Sequence, residues 1–433
     1  MISIPFPKRG MAFLISTLLI VGVPQASATE LSTVDDLSPD ETVYLLNLYQ
    51  DTWRFLSEYV EPQSGLPYDA SSRQPPTSVT NVGLYLAATS IAYRTGLISA
   101  SDAEGRVLRA LSSLEKVETW RGIPRPWFVI RTLEPTFGSE FTYGPHLASL
   151  IAGFLVTQST FPEIAFPEIG PKIHELIQRM DFKDFYDART GWLKGGYNVT
   201  TNNFAVYQPW GHWYYKYFAS ETRLLSFYLV ARGLVPKTHW FSLIRPVQEI
   251  EGEKFFVSGM EEGGLYVQYL SGLFIDESKS AMGESQRSYV RSQIKHAVTI
   301  GAPVWGWSSC LTPQGRYLAY GELRDDIVAP YASAMAAIYF PKEAVKNLLK
   351  MEELGARPSQ DLSLGEVAYG FKDSLNWKTG DTAKHYLTPN QAMAFLSLAN
   401  LLHDGIVWQS FREAPIIDRR IEILNTELEL VRT

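Results

Sequence analysis

Cysteine is nearly absent from this chain: Cys310 is the single one among 433 residues. One thiol cannot form an internal disulfide, and it excludes a cysteine-based metal cluster. The seven histidines show no H-x-x-x-H or His–carboxylate ligand spacing, so no metal site is expected. The chain also lacks a Gly-x-Ser-x-Gly nucleophile elbow and a glycine-rich phosphate-binding loop, and no cofactor is predicted.

Long basic runs are missing as well, and the net charge is −7. This balance argues against nucleic acid as a partner. What the chain has in quantity is apolar and aromatic residues: 45% are hydrophobic, with 11 Trp, 23 Tyr and 22 Phe. Because no shift in composition marks a boundary, we predict one domain over residues 29–433.

The first 28 residues are typical of a secretory signal peptide. Lys8 and Arg9 precede an apolar stretch over residues 11–23, and Ala26-Ser27-Ala28 is an A-x-A cleavage site. The apolar stretch is too short for a comfortable membrane span, so no stable span is expected after cleavage. The prediction is a periplasmic or secreted protein, with no expectation for its oligomeric state.

Apolar spacing and capping residues predict about a dozen helices and few strands. The predicted helices begin near Ser38, Thr77 and Ser99 and continue over 147–155, 172–180, 217–232, 285–298, 330–338, 342–354, 391–402 and 416–430. The best strand candidates, 255–257 and 265–269, suggest a small hairpin. An all-α toroid of helical hairpins, the (α/α)6 barrel, fits this length, with the site in long loops at one end.

Glu221 is the most informative residue, because it interrupts a run of apolar and aromatic residues over 210–228. Buried carboxylates are costly, so they are usually paired or used. Aromatic rings stack on sugar C–H faces, and apolar surroundings raise a carboxyl pKa toward that of a general acid. The alternative is a structural glutamate that accepts a hydrogen bond from a Trp N–H or Tyr O–H.

Several motifs in fixed order resemble the glucoamylase-like domains of cyclic β-1,2-glucan synthases and bacterial endo-β-1,2-glucanases. They span roughly residues 40 to 415, nearly the whole mature chain. The matching stretches are Thr77–Leu86, Arg131–Pro135, Ala219–Arg223 with Gly233, Pro236, His239 and Trp240, Gly301–Gly306, Asp325–Ala332, Tyr369–Asp373 and Asn390-Gln391.

The resemblance implies an (α/α)6 barrel that acts on an oligo- or polysaccharide, with β-1,2-glucan as the best-known substrate. It makes Glu221 the candidate acid and Asp373 the candidate base; the alternative for Asp373 is a helix N-cap. Candidate sugar-binding residues are Asn81, Tyr143, Arg223, Tyr320, Asp325, Asp326, Tyr369 and Gln391, with Trp210, Trp213, Trp305 and Trp307 for stacking. For the tryptophans the alternative is core packing, and for Asp325 and Asp326 it is helix capping.

Two aspartates of the family pattern are absent, where this chain has Phe128-Val129 and 141–144. Glu140 and His146 lie nearby in sequence. Three readings therefore stay open: a glycoside hydrolase or transglycosylase with paired carboxylates, a non-catalytic polysaccharide-binding or assembly protein, and a lyase that uses Tyr143 with His146. A further acidic pair, Glu261-Glu262, is typical of a solvated turn.

Overall fold

The structure is a computed structural model that describes residues 36–415. Within that range it leaves out residues 75, 137–138, 143, 207–212, 259–263, 320, 322, 324–325 and 359–367. The predicted signal peptide over 1–28 and the predicted helix over 416–430 lie outside the described residues, as does the Glu261-Glu262 pair.

Helices dominate the described chain and alternate with long loops. They are α1 Pro39–Glu58, α2 Val79–Arg94, α3 Ala100–Leu114, α4 Gly144–Thr160, α5 Ile169–Arg179, α6 Arg223–Ala231, α7 Thr238–Ser242, α8 Leu265–Tyr269, α9 Ala281–Ile300, α10 Pro330–Ala336, α11 Pro341–Glu353, α12 Thr388–Leu402 and α13 Ile406–Arg412. A short 3₁₀ turn, Ser271–Leu273, follows α8.

Serine caps explain where several helices begin. Ser38 forms a capping box with Glu41: the Ser38 hydroxyl accepts from the Glu41 amide at 3.3 Å, and Glu41 Oε2 accepts from the Ser38 amide at 2.8 Å. The hydroxyls of Ser78, Ser99 and Ser280 cap α2, α3 and α9 in the same position. These caps satisfy amides that the first helical turn leaves without a partner.

The strands are short and lie in the loops. They are β1 Pro76–Ser78, β2 Thr119–Trp120, β3 Ile123–Pro124, β4 Trp127–Val129, β5 Phe141–Thr142, β6 Tyr186–Asp187, β7 Trp192–Lys194, β8 Tyr197–Asn198, β9 Asn203–Phe204, β10 Tyr214–Tyr215, β11 Val247–Ile250, β12 Glu253–Phe256, β13 Cys310–Leu311, β14 Tyr317–Leu318, β15 Ile327–Val328 and β16 Leu375–Asn376. All pairings are antiparallel: β1–β4, β2–β3, β5–β8–β9, β6–β7–β10, β11–β12, β13–β14 and β15–β16.

Helices α2 and α4 approach each other closely because glycines face each other at the contact. A Cβ on Gly153 would lie 2.0 Å from the carbonyl oxygen of Gly83, and one on Gly83 would lie 2.3 Å from the carbonyl oxygen of Ser149. At the amino ends of the same helices, Thr80 Oγ1 lies 2.7 Å from His146 Nδ1. The two glycines therefore bring the loop ends of both helices together.

The predicted helical architecture is confirmed, with two local corrections. Residues 265–269 form helix α8, so the strand predicted there is wrong; β12 does form a hairpin, but with β11. The helix predicted over 217–232 begins only at Arg223, which leaves Glu221 just ahead of its first turn. Within the described part of the chain, no helix combines the length and apolar character needed to cross a membrane.

Candidate active site

Glu221 precedes α6 and contacts α8. The Tyr266 hydroxyl donates a hydrogen bond to Glu221 Oε2 at 3.1 Å. Glu221 as a residue keeps partial solvent exposure. Burial raises the pKa of Glu221 to about 7, against the lowering effect of the Tyr266 hydrogen bond. At neutral pH a large fraction of Glu221 is therefore protonated and able to donate a proton.

Asp373 lies ahead of β16 and is buried, with 2% of its surface exposed. Its Oδ1 accepts from Asn390 Nδ2 at 2.7 Å, and its Oδ2 accepts from the backbone amide of Leu311. The N-cap alternative is wrong, because Asp373 is followed by strand β16 and no helix begins directly after it. Burial raises the pKa of Asp373 to about 7, the Leu311 and Asn390 hydrogen bonds lower it, and the charge of Asp69 raises it.

The segment Ser308–Leu311 connects the surroundings of the two carboxyls. Ser308 Oγ accepts from the backbone amide of Tyr266 at 3.1 Å, and three residues later Leu311 donates to Asp373. Gly321 packs against this segment with φ +61°, and a Cβ there would lie 2.4 Å from Ser308 backbone atoms. Asp373 thus contacts this segment directly and Glu221 is linked to it through Tyr266, although 152 positions separate the two carboxyls in the sequence (373 − 221).

Tyr317 is close enough to both carboxyls for their charges to act on its hydroxyl. It is the β14 partner of Leu311, the residue that donates to Asp373. Its pKa is raised first by burial of the hydroxyl and then by the charges of Asp373 and Glu221. Tyr317 is 57% exposed, so this tyrosine lies at the surface of the protein. Sequence reasoning missed Tyr317, because a tyrosine in a short hairpin carries no distinguishing pattern.

Two other candidate residues contact this region. Asn81 is buried at the start of α2, and its Nδ2 donates to Asp69 Oδ1 at 2.8 Å. Gln391 is the neighbour of Asn390 on α12, and its Nε2 donates to the Phe371 carbonyl at 2.8 Å. Gln391 and Asp373 both line a small cavity of about 10 Å³, the volume of a single water molecule.

Trp213 and Tyr369 have aromatic surroundings. Trp213 is 43% exposed and packs on Gly195, where a Cβ would lie 2.7 Å from its ring; its centroid is 5.1 Å from that of Tyr215. The Tyr369 hydroxyl donates to Glu58 at 2.6 Å, on the edge of an aromatic cluster with Phe55, Tyr59 and Tyr386.

Arg223, Trp305 and Trp307 lie in the core instead of at a sugar-accessible surface. The Arg223 guanidinium is 1% exposed, forms an ion pair with the equally buried Glu277 and lies over the Phe218 ring. Trp305 is 6% exposed and Trp307 is fully buried, so neither ring offers a face to a sugar. We assign these three side chains to core packing.

The remaining candidates are at the surface or outside the described residues. Asp326 forms an ion pair with Lys378 at 2.7 Å and is 38% exposed. Tyr143, Trp210, Tyr320 and Asp325 lie outside the described residues. His146, which the lyase reading recruits, has its pKa lowered to about 4 by burial, so its imidazole is neutral. Over the part of the chain described, no three His, Cys, Asp or Glu side chains are grouped as metal ligands.

Comparison with known proteins supports the motifs found in the sequence. Residues 231–415 match the family model Glycoamylase, described as "Putative glucoamylase", and residues 47–245 match the model of a domain of unknown function, DUF3131. The chain contains a glucoamylase-like region. A cyclic β-(1,2)-glucan synthase, NdvB of Rhizobium meliloti, is 27% identical over 271 residues. The match covers 57% of this chain and 9% of that protein, so the chain corresponds to a small part of a much longer relative.

Solved structures establish the fold. A "putative glucoamylase" from Bacteroides caccae superposes with a TM-score of 0.75 at 16% identity, covering 89% of this chain and 98% of that one. An endo-β-1,2-glucanase from Chitinophaga pinensis, in complex with sophorotriose and glucose, gives 0.74 at 17% identity, covering 90% and 98%. The glucoamylase-like (α/α)6 barrel is therefore the fold of this chain, as the sequence predicts.

Proposed function

We propose that this glucoamylase-like protein is an exported carbohydrate-active enzyme that cleaves or transglycosylates β-1,2-glucan. The observation that carries the proposal is the pair Glu221 and Asp373, two carboxyls linked through Tyr266 and the segment Ser308–Leu311, each with a pKa raised by burial to about 7. Glycoside cleavage needs one carboxyl that is protonated and one that is ionised. The substrate class is supported by the β-1,2-glucan named for the synthase relative and for the glucanase structures.

The hydrogen bonds support a division of roles between the two carboxyls. Asp373 accepts from Leu311 and from Asn390, and donors of this kind stabilise the ionised carboxylate that a base must be. Glu221 accepts one hydrogen bond, from a tyrosine hydroxyl, and is otherwise desolvated, which favours the protonated acid. Because Asp373 is buried, it would activate water through an intervening hydroxyl group more readily than by direct contact.

Product analysis tests the proposal. The purified chain is incubated with linear β-1,2-glucan, and released oligosaccharides are separated by chromatography for the wild type and for Glu221→Gln. We expect shorter or cyclised products from the wild type and at least a hundredfold loss in the variant, since acid–base catalysis contributes about 10²–10⁴-fold. The matched control is Glu249→Gln, which changes an exposed glutamate paired with Lys254 on the β11–β12 hairpin.

Two outcomes would count against the proposal. Absence of any product from β-1,2-glucan and from a panel of bacterial exopolysaccharides would overturn the enzymatic function. A loss of less than about tenfold in Glu221→Gln, with folding retained by circular dichroism, would remove Glu221 from the acid role.

The binding-protein reading has one observation in its favour. Both oxygens of Asp373 are occupied by protein donors and the residue is 2% exposed, as expected for a carboxylate that holds loops together. Under this reading the protein binds β-1,2-glucan oligosaccharides in calorimetry without consuming them. Prolonged incubation followed by product analysis separates the two functions.

A further inference from the structure

Asp69 is an acidic residue of the site that the sequence motifs did not mark. It lies in the loop between α1 and α2, after the buried residues Leu66, Pro67 and Tyr68. Asp69 is partly exposed, and burial raises the pKa of its carboxyl, against the lowering effect of the hydrogen bond from Asn81.

The amino end of α12 holds Asp69 beside Asp373. The Thr388 amide donates to the backbone carbonyl of Asp69 at 2.9 Å, and Asn390, two residues later, donates to the Asp373 carboxylate. The loop of Asp69 is joined to the same segment by the bridge between Ala70 and Leu387. The charge of Asp69 acts on Asp373, in agreement with this arrangement.

Asn81 supplies a second, independent observation. Its side chain is 1% exposed, and its Nδ2 is directed at Asp69 Oδ1 at 2.8 Å. Its Oδ1 is buried with no hydrogen-bond partner among the described residues. Unsatisfied buried amides are rare in folded proteins and call for an explanation. The unpaired Asn81 Oδ1 is energetically unfavourable, and the same side chain orients one oxygen of Asp69. We infer that the other oxygen of Asp69 accepts from a ligand.

We propose that Asp69, oriented by Asn81, is a substrate-binding residue that accepts hydrogen bonds from hydroxyl groups of the glucose unit bound next to Asp373. This rests on the proposed function and adds a third carboxylate to the site. A carboxylate is suited to a sugar because its two acceptor oxygens take the protons of hydroxyl groups, in bonds stronger than those to a neutral acceptor. The negative charge also disfavours anionic substrates at this position, so the bound unit is a neutral sugar.

The test measures binding without turnover. Affinity for a β-1,2-linked glucotriose is measured by titration calorimetry in Glu221→Gln and in the double variant Glu221→Gln/Asp69→Asn. Asparagine keeps the shape of Asp69 and can still accept from Asn81. Loss of the charged acceptor should weaken binding by roughly 10- to 100-fold. If Asp69→Asn lowers the melting temperature, Asp69→Ser replaces it in the same background, and its affinity for the glucotriose is measured in the same way.

The matched control is Ser71→Ala in the Glu221→Gln background. Ser71 is in the same loop; its Oγ contacts His385 Nδ1 at 3.2 Å and accepts from the Tyr386 amide at 3.2 Å. This variant disturbs the loop and spares the Asp69 carboxylate, so binding should stay within about threefold.

Each result has one meaning. Unchanged binding in the Asp69 variants, or an equal loss in Ser71→Ala, overturns the role of Asp69 while the proposed function stands. If Glu221→Gln binds no glucotriose and the wild type forms no product from β-1,2-glucan, the proposed function fails and the role of Asp69 fails with it.

Discussion

The Tyr266 hydroxyl donates a 3.1 Å hydrogen bond to Glu221 Oε2, joining α8 to the residue ahead of α6. This contact spans 45 residues of sequence and gives the Glu221 carboxyl a hydrogen-bond donor. It stabilises the ionised form, so it limits how far burial can raise the pKa of Glu221. The strength of the candidate acid is therefore set by a balance between apolar surroundings and one tyrosine.

The substitution Tyr266→Phe should raise the pKa of Glu221. Without the hydroxyl, the carboxylate loses its stabilising donor, so the pKa of Glu221 rises further above its ordinary value. The alkaline limb of the kcat/KM profile on β-1,2-glucan should then shift to higher pH. Tyr269→Phe is the matched control, because that hydroxyl is on the same helix and donates to the Gln286 carbonyl. An unshifted alkaline limb in Tyr266→Phe would show that Glu221 is not the titrating acid.

Stability should depend on pH through Glu221. Its pKa is about 7 in the folded protein, against 4.5 for an ordinary glutamate as in the unfolded chain. Below pH 4.5 both states are protonated; as pH rises from 4.5 to 7 the unfolded state releases its proton first, so folding stability falls. Glu221→Gln removes this pH-dependent loss of stability. The free energy of unfolding of the variant, relative to that of the wild type, should therefore increase between pH 5 and 8 by on the order of 2 kcal/mol. Urea unfolding at a series of pH values measures the difference, and a constant difference would contradict the raised pKa.

The buried pair of Arg223 and Glu277 should matter for stability more than for sugar binding. Glu277→Gln leaves the Arg223 charge buried without its carboxylate, at a cost of about 3–5 kcal/mol. Glu284→Gln, which removes a partly exposed partner of Arg287 and Arg291, should cost about 0–1 kcal/mol. Chemical denaturation provides both values. If Glu277→Gln is stable but binds glucotriose much more weakly, Arg223 would instead be a substrate-binding residue.

Gly153→Ala tests the close approach of α2 and α4. The added methyl would meet the Gly83 carbonyl oxygen at 2.0 Å, so the helices must separate, at a cost of about 1–3 kcal/mol or more. Gly170→Ala on α5, where a Cβ meets nothing within 4 Å, should be neutral or slightly stabilising. Melting temperatures of the two variants compare the effects directly. Equal melting temperatures would mean that α2 and α4 separate without a measurable loss of stability.

The sequence predicted the helical framework well because helices leave local signals. Ser38, Ser78 and Ser99 cap helices where the sequence predicts their starts. The prediction of a strand over 265–269 was wrong, since the apolar and aromatic residues of this segment suit a buried strand and a short buried helix equally. Glu221 and Asp373 stood out through motifs, and the structure links both to the segment Ser308–Leu311, Glu221 through Tyr266 and Asp373 directly.

The surroundings of these carboxyls were not predictable in the same way. Tyr266, Tyr317 and Asp69 reach the site from loops and short elements that are distant in sequence, and none has a pattern that distinguishes it from a packed residue. Trp305 and Trp307 show the opposite error, since both were candidates for stacking on a sugar and both rings are buried. The direction in which a loop side chain points depends on tertiary packing, which a single sequence does not display.

The donor that Leu311 provides to Asp373 belongs to the backbone, and this affects how the site can change over evolution. Any residue except proline at position 311 keeps the amide, so its side chain is free to drift while the carboxylate remains bound. Asn390, by contrast, contributes through its side chain and can be lost in one substitution. Substitutions at position 311 therefore leave half of the hydrogen bonding to this carboxyl in place, and no side-chain type at that position identifies the contact.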